Sequence, residues 1–175
     1  MESFGFIHDK LDIKILILFI LGRLEVGVSM ETLTQLTLCD DGIGYFDFFE
    51  CVQELEDSKH IVQENHLYFI TPKGVKNGTI TENSLPYSVR KLAEENTAKF
   101  CKQTRRNAMI HTEILEKEGG GYTVSCTLND GLGEILNFSI FTATKEQADE
   151  ITTGFGANAE EVYGEMIKLL TGEKS

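Results

Sequence analysis

SMETLTQLTLCDDGIGYFDFFECVQELEDSKHIVQENHLYFITPKG, residues 29–74, changes its hydrophobic period twice, and the fold follows from where those changes fall. Ser29 is a helix N-cap, a side-chain oxygen placed to accept from a backbone N–H two or three residues on. Leu33, Leu36 and Thr37 give the following helix one apolar side. Cys39-Asp40-Asp41-Gly42-Ile43-Gly44 is turn chemistry: the glycines tolerate positive φ and the aspartates bond to nearby backbone. Tyr45, Phe48, Phe49, Val52 and Leu55 then recur at helical spacing and predict a second amphipathic helix. After Ser58-Lys59-His60 the pattern becomes strand-like. Ile61-Val62-Gln63 and Leu67-Tyr68-Phe69-Ile70 read as a hairpin with Glu64-Asn65-His66 at its tip, and Thr71-Pro72-Lys73-Gly74 ends the second strand.

Tyr68-Phe69-Ile70-Thr71-Pro72-Lys73-Gly74 resembles the wing exit of winged-helix regulators of the MarR and PadR kind. The order helix, helix, turn, helix, two strands resembles theirs as well. Leu16-Ile17-Leu18-Phe19-Ile20-Leu21, with Tyr45-Phe46 opening the third helix, is similar to a winged-helix family of about this length known only as a domain of unknown function. The resemblance, strong over the first half and weak over the second, implies an N-terminal winged helix-turn-helix. With the pattern of the later residues the expectation is an α+β chain that continues with a linking helix and a small antiparallel sheet with C-terminal helices. We expect a winged-helix domain over 1–85. Residues 86–175 are expected to hold the linking helix and an α+β domain for dimerisation or ligand sensing.

Outside the opening stretch, Asp9 is placed to cap a first helix running to about Leu24, preceded by a loose arm, Met1 to His8. Leu11, Ile15, Leu18, Phe19 and Gly22 form one stripe of that helix. Ile13, Leu16, Ile17, Ile20 and Leu21 make it apolar nearly all round, and such a helix is usually sandwiched between two surfaces. The winged-helix core supplies one, so a second subunit or the C-terminal half is expected to supply the other. Residues 75–87 mix Gly, Asn, Thr and Ser with Pro86 and read as a boundary.

The next helix runs from Ser88 to Asn107, with Val89, Leu92, Ala93 and Phe100 inward and Lys91, Lys102, Arg105 and Arg106 as a basic stripe. That stripe is either a solvated face pairing with the acidic remainder or a phosphate-contacting face. Met109 to Glu118, Gly121 to Leu128 and Glu134 to Thr142 read as three strands. Tyr122, Val124, Cys126 and Leu128 alternate with polar residues, and Leu136, Phe138 and Ile140 share a face. Asn129-Asp130-Gly131-Leu132-Gly133 joins two strands; a phosphate cradle would need a helix after it. Thr144 caps a helix from Lys145 to about Phe155, with Ala148, Ile151 and Thr152 inward. Asn158 caps a last one with Ala159, Val162, Tyr163, Met166, Ile167 and Leu170 on its apolar side.

Composition bounds the function. At 41% hydrophobic and 25% charged, the 175 residues are those of an ordinary folded domain. The longest apolar run, Ile15 to Leu21, is too short to span a bilayer, and no signal-peptide layout precedes it, so a cytosolic protein is expected. Cys39, Cys51, Cys101 and Cys126 lie far apart and read as reduced thiols, with no metal site and no cofactor expected. His8, His60, His66 and His111 sit in no nucleophile or ligand motif, and an enzyme is not expected.

Charge shapes the functional reading further. Residues 1–85, 86–110 and 111–175 carry net charges of −8, +4 and −8 within a total of −12. Between Arg23 and Lys59 there is no cation, while nine carboxylates fall in that interval. Two roles follow from the resemblance. As a dimeric DNA-binding regulator, the chain would read bases with Phe46, Asp47, Glu50 and Gln53. It would hold the backbone with Lys59, His66, Lys73, Lys76, Lys102, Arg105 and Arg106. As a protein-interaction module, the third helix would have moved from DNA to a protein partner, which suits its acidic face and the exposed Phe46. His66 is a solvated turn residue in one reading and a groove contact in the other.

Overall fold

The computed structural model describes residue 7 and residues 9–172. They form a mixed α+β structure with six α-helices and two small antiparallel sheets. The chain divides into two compact units, Met1–Cys101 and Lys102–Ser175.

The first unit is built on α1 (Lys10–Leu21), which Asp9 caps by accepting from the Asp12 backbone N–H. Eight of its residues, Ile13 and Ile15 through Leu21, are buried. Each is worth about 1.5–3 kcal/mol when removed from water, so one bare side of this helix would forfeit several kcal/mol. The cover is local. α1 packs on α2 (Met30–Thr37), α3 (Tyr45–Asp57), α4 (Pro72–Thr81) and the short 3₁₀ turn Glu82–Ser84. Leu85, Val89 and Ala93 complete the same core. The side of α1 expected to be left for a second subunit or the C-terminal half is covered within the first unit, by α4, the 3₁₀ turn and, from the expected C-terminal half, the start of the following helix with Val89 and Ala93.

That fourth helix is the main departure from the sequence reading, which ended the strand at Thr71–Gly74 and placed a boundary over 75–87. Thr71 instead caps α4, accepting from the Gly74 N–H at 3.1 Å while its hydroxyl lies 2.8 Å from the Lys59 carbonyl. Pro72 stands in the first turn, where a missing N–H costs nothing. The glycines that looked like loop residues are packing residues. A Cβ on Gly74 would lie 2.1 Å from the His60 carbonyl oxygen, and one on Gly78 3.3 Å from the Leu18 Cβ.

Smaller corrections share one cause: a stripe names a face, but the edge of the tertiary cover decides how much of it is buried. Leu11, Tyr45 and Leu92 were expected inward and are exposed. Cys51, outside the expected stripe, is buried against the Lys10 carbonyl. Ile7 is buried in the core, contrary to a loose arm at that point; residues 1–6 and His8 lie outside the described residues. α1 ends at Leu21 rather than Leu24.

The hairpin joins β1 (Ile61–Glu64) to β2 (Leu67–Ile70) in antiparallel register, Ile61 opposite Ile70. Asn65 and His66, at φ 49° and 65°, form the two-residue tip. Val28 and Tyr68 exchange backbone hydrogen bonds and fix the hairpin to the segment entering α2.

α5 (Tyr87–Met109) begins in the first unit and ends in the second. The second unit continues with β3 (Ile110–Glu116), β4 (Tyr122–Asn129) and β5 (Glu134–Thr142), ordered β3-β4-β5. One face of β4, with Val124, Cys126 and Leu128, packs on α6 (Lys145–Thr171), where Phe138 and Phe155 meet edge to face at 5.4 Å. Thr144 caps α6 as expected. The two expected C-terminal helices run on as α6 but are separated where expected, at Asn158, whose backbone leaves helical geometry (φ −130°, ψ 24°); its side chain donates to the Gly154 carbonyl rather than capping the second segment. Ile167 and Leu170, expected inward, are exposed. α6, at about 1.5 Å per residue, outruns strands that advance about 3.3 Å for each of their far fewer residues. No helix of the described residues is long and apolar enough to cross a membrane.

Candidate functional site

The surface in question is assembled from α3, the turn before it and the hairpin after it. Asp40 organises the turn: its carboxylate accepts from the Gly42 and Ile7 backbone N–H groups, and its carbonyl accepts from Ile43. Ile43 is buried and anchors the turn to the core. α3 therefore starts at Tyr45 with a fixed orientation, Phe48, Cys51, Val52 and Leu55 inward.

Its outer face carries Phe46, Asp47, Glu50 and Gln53, the four expected base-reading residues, all exposed. Phe46 is 87% exposed and touches Tyr45 edge to face at 6.3 Å, while Tyr45 leans on Phe49 at 4.6 Å. Two of the carboxylates of α3 are not free: Lys10 pairs with Glu50 and Lys14 with Glu54. The hydrogen bond Lys10 donates to Glu50 keeps its ammonium above its ordinary pKa, and the Lys14 contact holds Glu54 below its own. Sequence reasoning missed this ladder, although a signal existed. Lys10 and Lys14 stand four apart on one helix, as Glu50 and Glu54 do on another, so the two pairs can match rung for rung.

Between α3, the start of α2 and the hairpin lies an open groove of about 210 Å³. Met30, Phe49 and Tyr68 give it apolar walls, and Gln53 and Glu56 give it polar ones. Gln63 donates to the Tyr68 hydroxyl at 3.1 Å, tying the hairpin side chains together.

The expected backbone-contacting residues fall into two sets. Lys59, His66, Lys73 and Lys76 belong to the first unit and are exposed. Lys73 donates to the Ser58 carbonyl at 2.7 Å, which places it at the end of α3 beside Lys59, and Lys76 follows one turn along α4. His66 stands apart from them at the hairpin tip. Lys102, Arg105 and Arg106 belong to the second unit. Arg106 is engaged there, donating to Glu160 at 3.3 Å and to the Ala157 carbonyl.

Cys39 and Cys101 are half-buried. Cys51 and Cys126 are buried, and burial pushes the Cys51 thiol up to about 11, away from the reactive thiolate. Among the described residues no group of three or more His, Cys, Asp or Glu is placed to hold a metal ion.

No curated protein and no solved structure matches the chain. One family model matches residues 13–170, a span that takes in both units and the whole α3 surface. The chain belongs to the family described as a domain of unknown function, DUF4364.

Proposed function

We propose that the first unit is a winged helix and that the protein binds DNA as a dimeric transcriptional regulator. The observation that carries this reading is the sequence of elements: a capped α2, an anchored turn, α3 with an exposed face, and a two-residue hairpin tied back beside them. In proteins of that architecture the helix after the turn enters the major groove and the hairpin reaches the backbone.

The carboxylates of α3 work against DNA and set the form the binding must take. Affinity for a duplex comes chiefly from cations that displace condensed counterions, and specific binders make about 6–10 phosphate contacts. Lys59, Lys73 and Lys76 give one first unit three. Two copies reach the lower end of that range and one copy does not. The ion pairs of Lys10 and Lys14 reduce the opposing charge on α3.

Fluorescence anisotropy with random duplex at low salt tests this. Micromolar binding with a log–log salt slope of about −5, from six phosphate contacts at about 0.9 each, is expected. Replacing Lys59, Lys73 and Lys76 by Gln should abolish it. Absence of binding at micromolar protein overturns the proposal.

One observation favours the second reading, a winged helix whose third helix engages a protein. Phe46 projects beside Tyr45 and Asp47 on a face without a cation of its own, an aromatic anchor with an acidic rim. On that reading DNA binding fails, and Phe46→Ala removes partner association without moving the melting temperature.

A further inference from the structure

A second cavity lies in the first unit away from α3, where α1, the 3₁₀ turn and the start of α5 converge. It is open to solvent on one side and has a volume of about 160 Å³. A water needs about 10–15 Å³ of such space, so there is room for one ion of phosphate size. Its walls carry three cations, Arg23, Arg90 and Lys91, and two carboxylates, Glu82 and Glu94.

The pairing inside the cavity is uneven. Arg23 lies over the Phe19 ring at 3.5 Å, donates to the Glu82 carboxylate at 3.2 Å and to the Phe19 carbonyl, and has Glu94 at 3.9 Å. Both carboxylates are thus directed at Arg23. Arg90 donates to the Asn83 side chain at 2.8 Å and pairs with no carboxylate of the described residues; its Nε is buried without a partner. The Lys91 side chain has no hydrogen bond or ion pair with a described residue.

Their place on α5 adds to this. Arg90 and Lys91 stand near the start of a 23-residue helix whose first turn has no acidic residue. Both lie just past that turn, four and three residues before Glu94, so two cations share one carboxylate that is already directed at Arg23. Nothing in the packing of α5 requires it, because Val89, Ala93 and Thr97 face the core and Lys91 does not.

We propose that this cavity is a binding site for a small oxyanion of the phosphate class, held by Arg90 and Lys91 at the start of α5, with Arg23 and its two carboxylates forming the fixed wall. With Nη1 on Asn83 and Nε buried, Arg90 offers Nη2 to an anion oxygen, and Lys91 adds a mobile point charge at the rim. The site is separate from the α3 surface and stands whether or not the protein binds DNA.

The test is a titration of the full-length protein with inorganic phosphate, followed by amide chemical shifts, against sodium chloride at matched ionic strength. Saturable shifts confined to residues around Arg23, Glu82, Tyr87 and Arg90 are expected, with a dissociation constant of about 1 mM or tighter. Lys91→Gln, at an exposed position that leaves the core intact, should weaken binding about tenfold. Arg90→Gln should abolish it, with its own spectrum reporting whether it is folded. Lys99→Gln, farther along the same helix, should bind like the wild type. Shifts that grow linearly with salt and match those of chloride, or equal binding by the Lys91 and Lys99 variants, overturn the proposal. Acetate in place of phosphate separates a site for any small oxyanion from one for phosphate: equal affinity overturns the phosphate assignment.

Discussion

His60 is held by two hydrogen bonds whose direction sets its charge. Ser58 Oγ donates to the Glu54 carbonyl, which leaves its lone pair to accept from His60 Nδ1 at 2.8 Å. Asn77 Nδ2 lies 2.6 Å from His60 Nε2 and donates to it. Neutral imidazole satisfies both contacts; a second proton on Nε2 turns the Asn77 contact into donor against donor. Burial lowers the pKa below the ordinary 6.5, and the Lys73 ammonium lowers it further. The unfolded chain therefore binds more protons than the folded one in the window just below 6.5. Stability contributed by His60 is present above that value and is lost as the pH falls through the folded pKa. The His60 Cε1 proton should titrate with a midpoint below 6.5, and Asn77→Ala should raise that midpoint. A wild-type midpoint at or above 6.5 contradicts the assigned hydrogen bonds.

At the scale of the element, α4 is the case where composition misleads. Its sequence, PKGVKNGTIT, combines two glycines, an asparagine and β-branched residues, all poor helix formers. The helix forms because Thr71 caps it and because its glycines admit close neighbours, and the two glycines have opposite tolerances. Gly74→Ala drives a methyl against the His60 backbone, which cannot yield, and is expected to cost more than 2 kcal/mol. Gly78→Ala meets the Leu18 side chain at 3.3 Å, and about 1 kcal/mol of helix propensity offsets that contact, so its stability should stay within about 1 kcal/mol of the wild type. Urea denaturation of the two variants checks the contrast, and equal losses refute it. The same physics separates what the sequence disclosed from what it concealed. α3, the Ser29, Asp9 and Thr144 caps, the hairpin and all three strands of the second sheet were legible, because their signals are local and periodic. α4 was not, since a glycine that permits a contact and one that permits a turn are the same letter. The Lys10–Glu50 and Lys14–Glu54 ladder was likewise hidden, because its two halves lie 40 residues apart.

For the whole molecule, the division into two units with separate cores has a consequence for folding. The first core runs from Ile7 to Ala93 and needs nothing beyond Cys101 to cover α1. The second is a smaller cluster around Val124, Cys126, Phe155 and Ala159. A domain of about 100 residues buries enough of its surface to fold alone, given a continuous core, and the first unit has one. The fragment Met1–Cys101 should therefore unfold cooperatively, with the α1 backbone amides among its slowest to exchange with solvent. Its melting temperature should be independent of protein concentration, because α1 leaves no side for a second copy to cover. If α1 exchanges quickly in the fragment, or the melting temperature climbs with concentration, cover from elsewhere is required, as the apolar periphery of that helix first suggested. Circular dichroism melts over a tenfold concentration range, combined with hydrogen exchange, distinguish the outcomes. Dimerisation for DNA binding would then have to use a surface other than α1. Ile167, Leu169 and Leu170 at the end of α6 are exposed; if the proposed dimer forms through them, Leu169→Glu should lower the order of assembly measured by light scattering while leaving the isolated first unit unaffected.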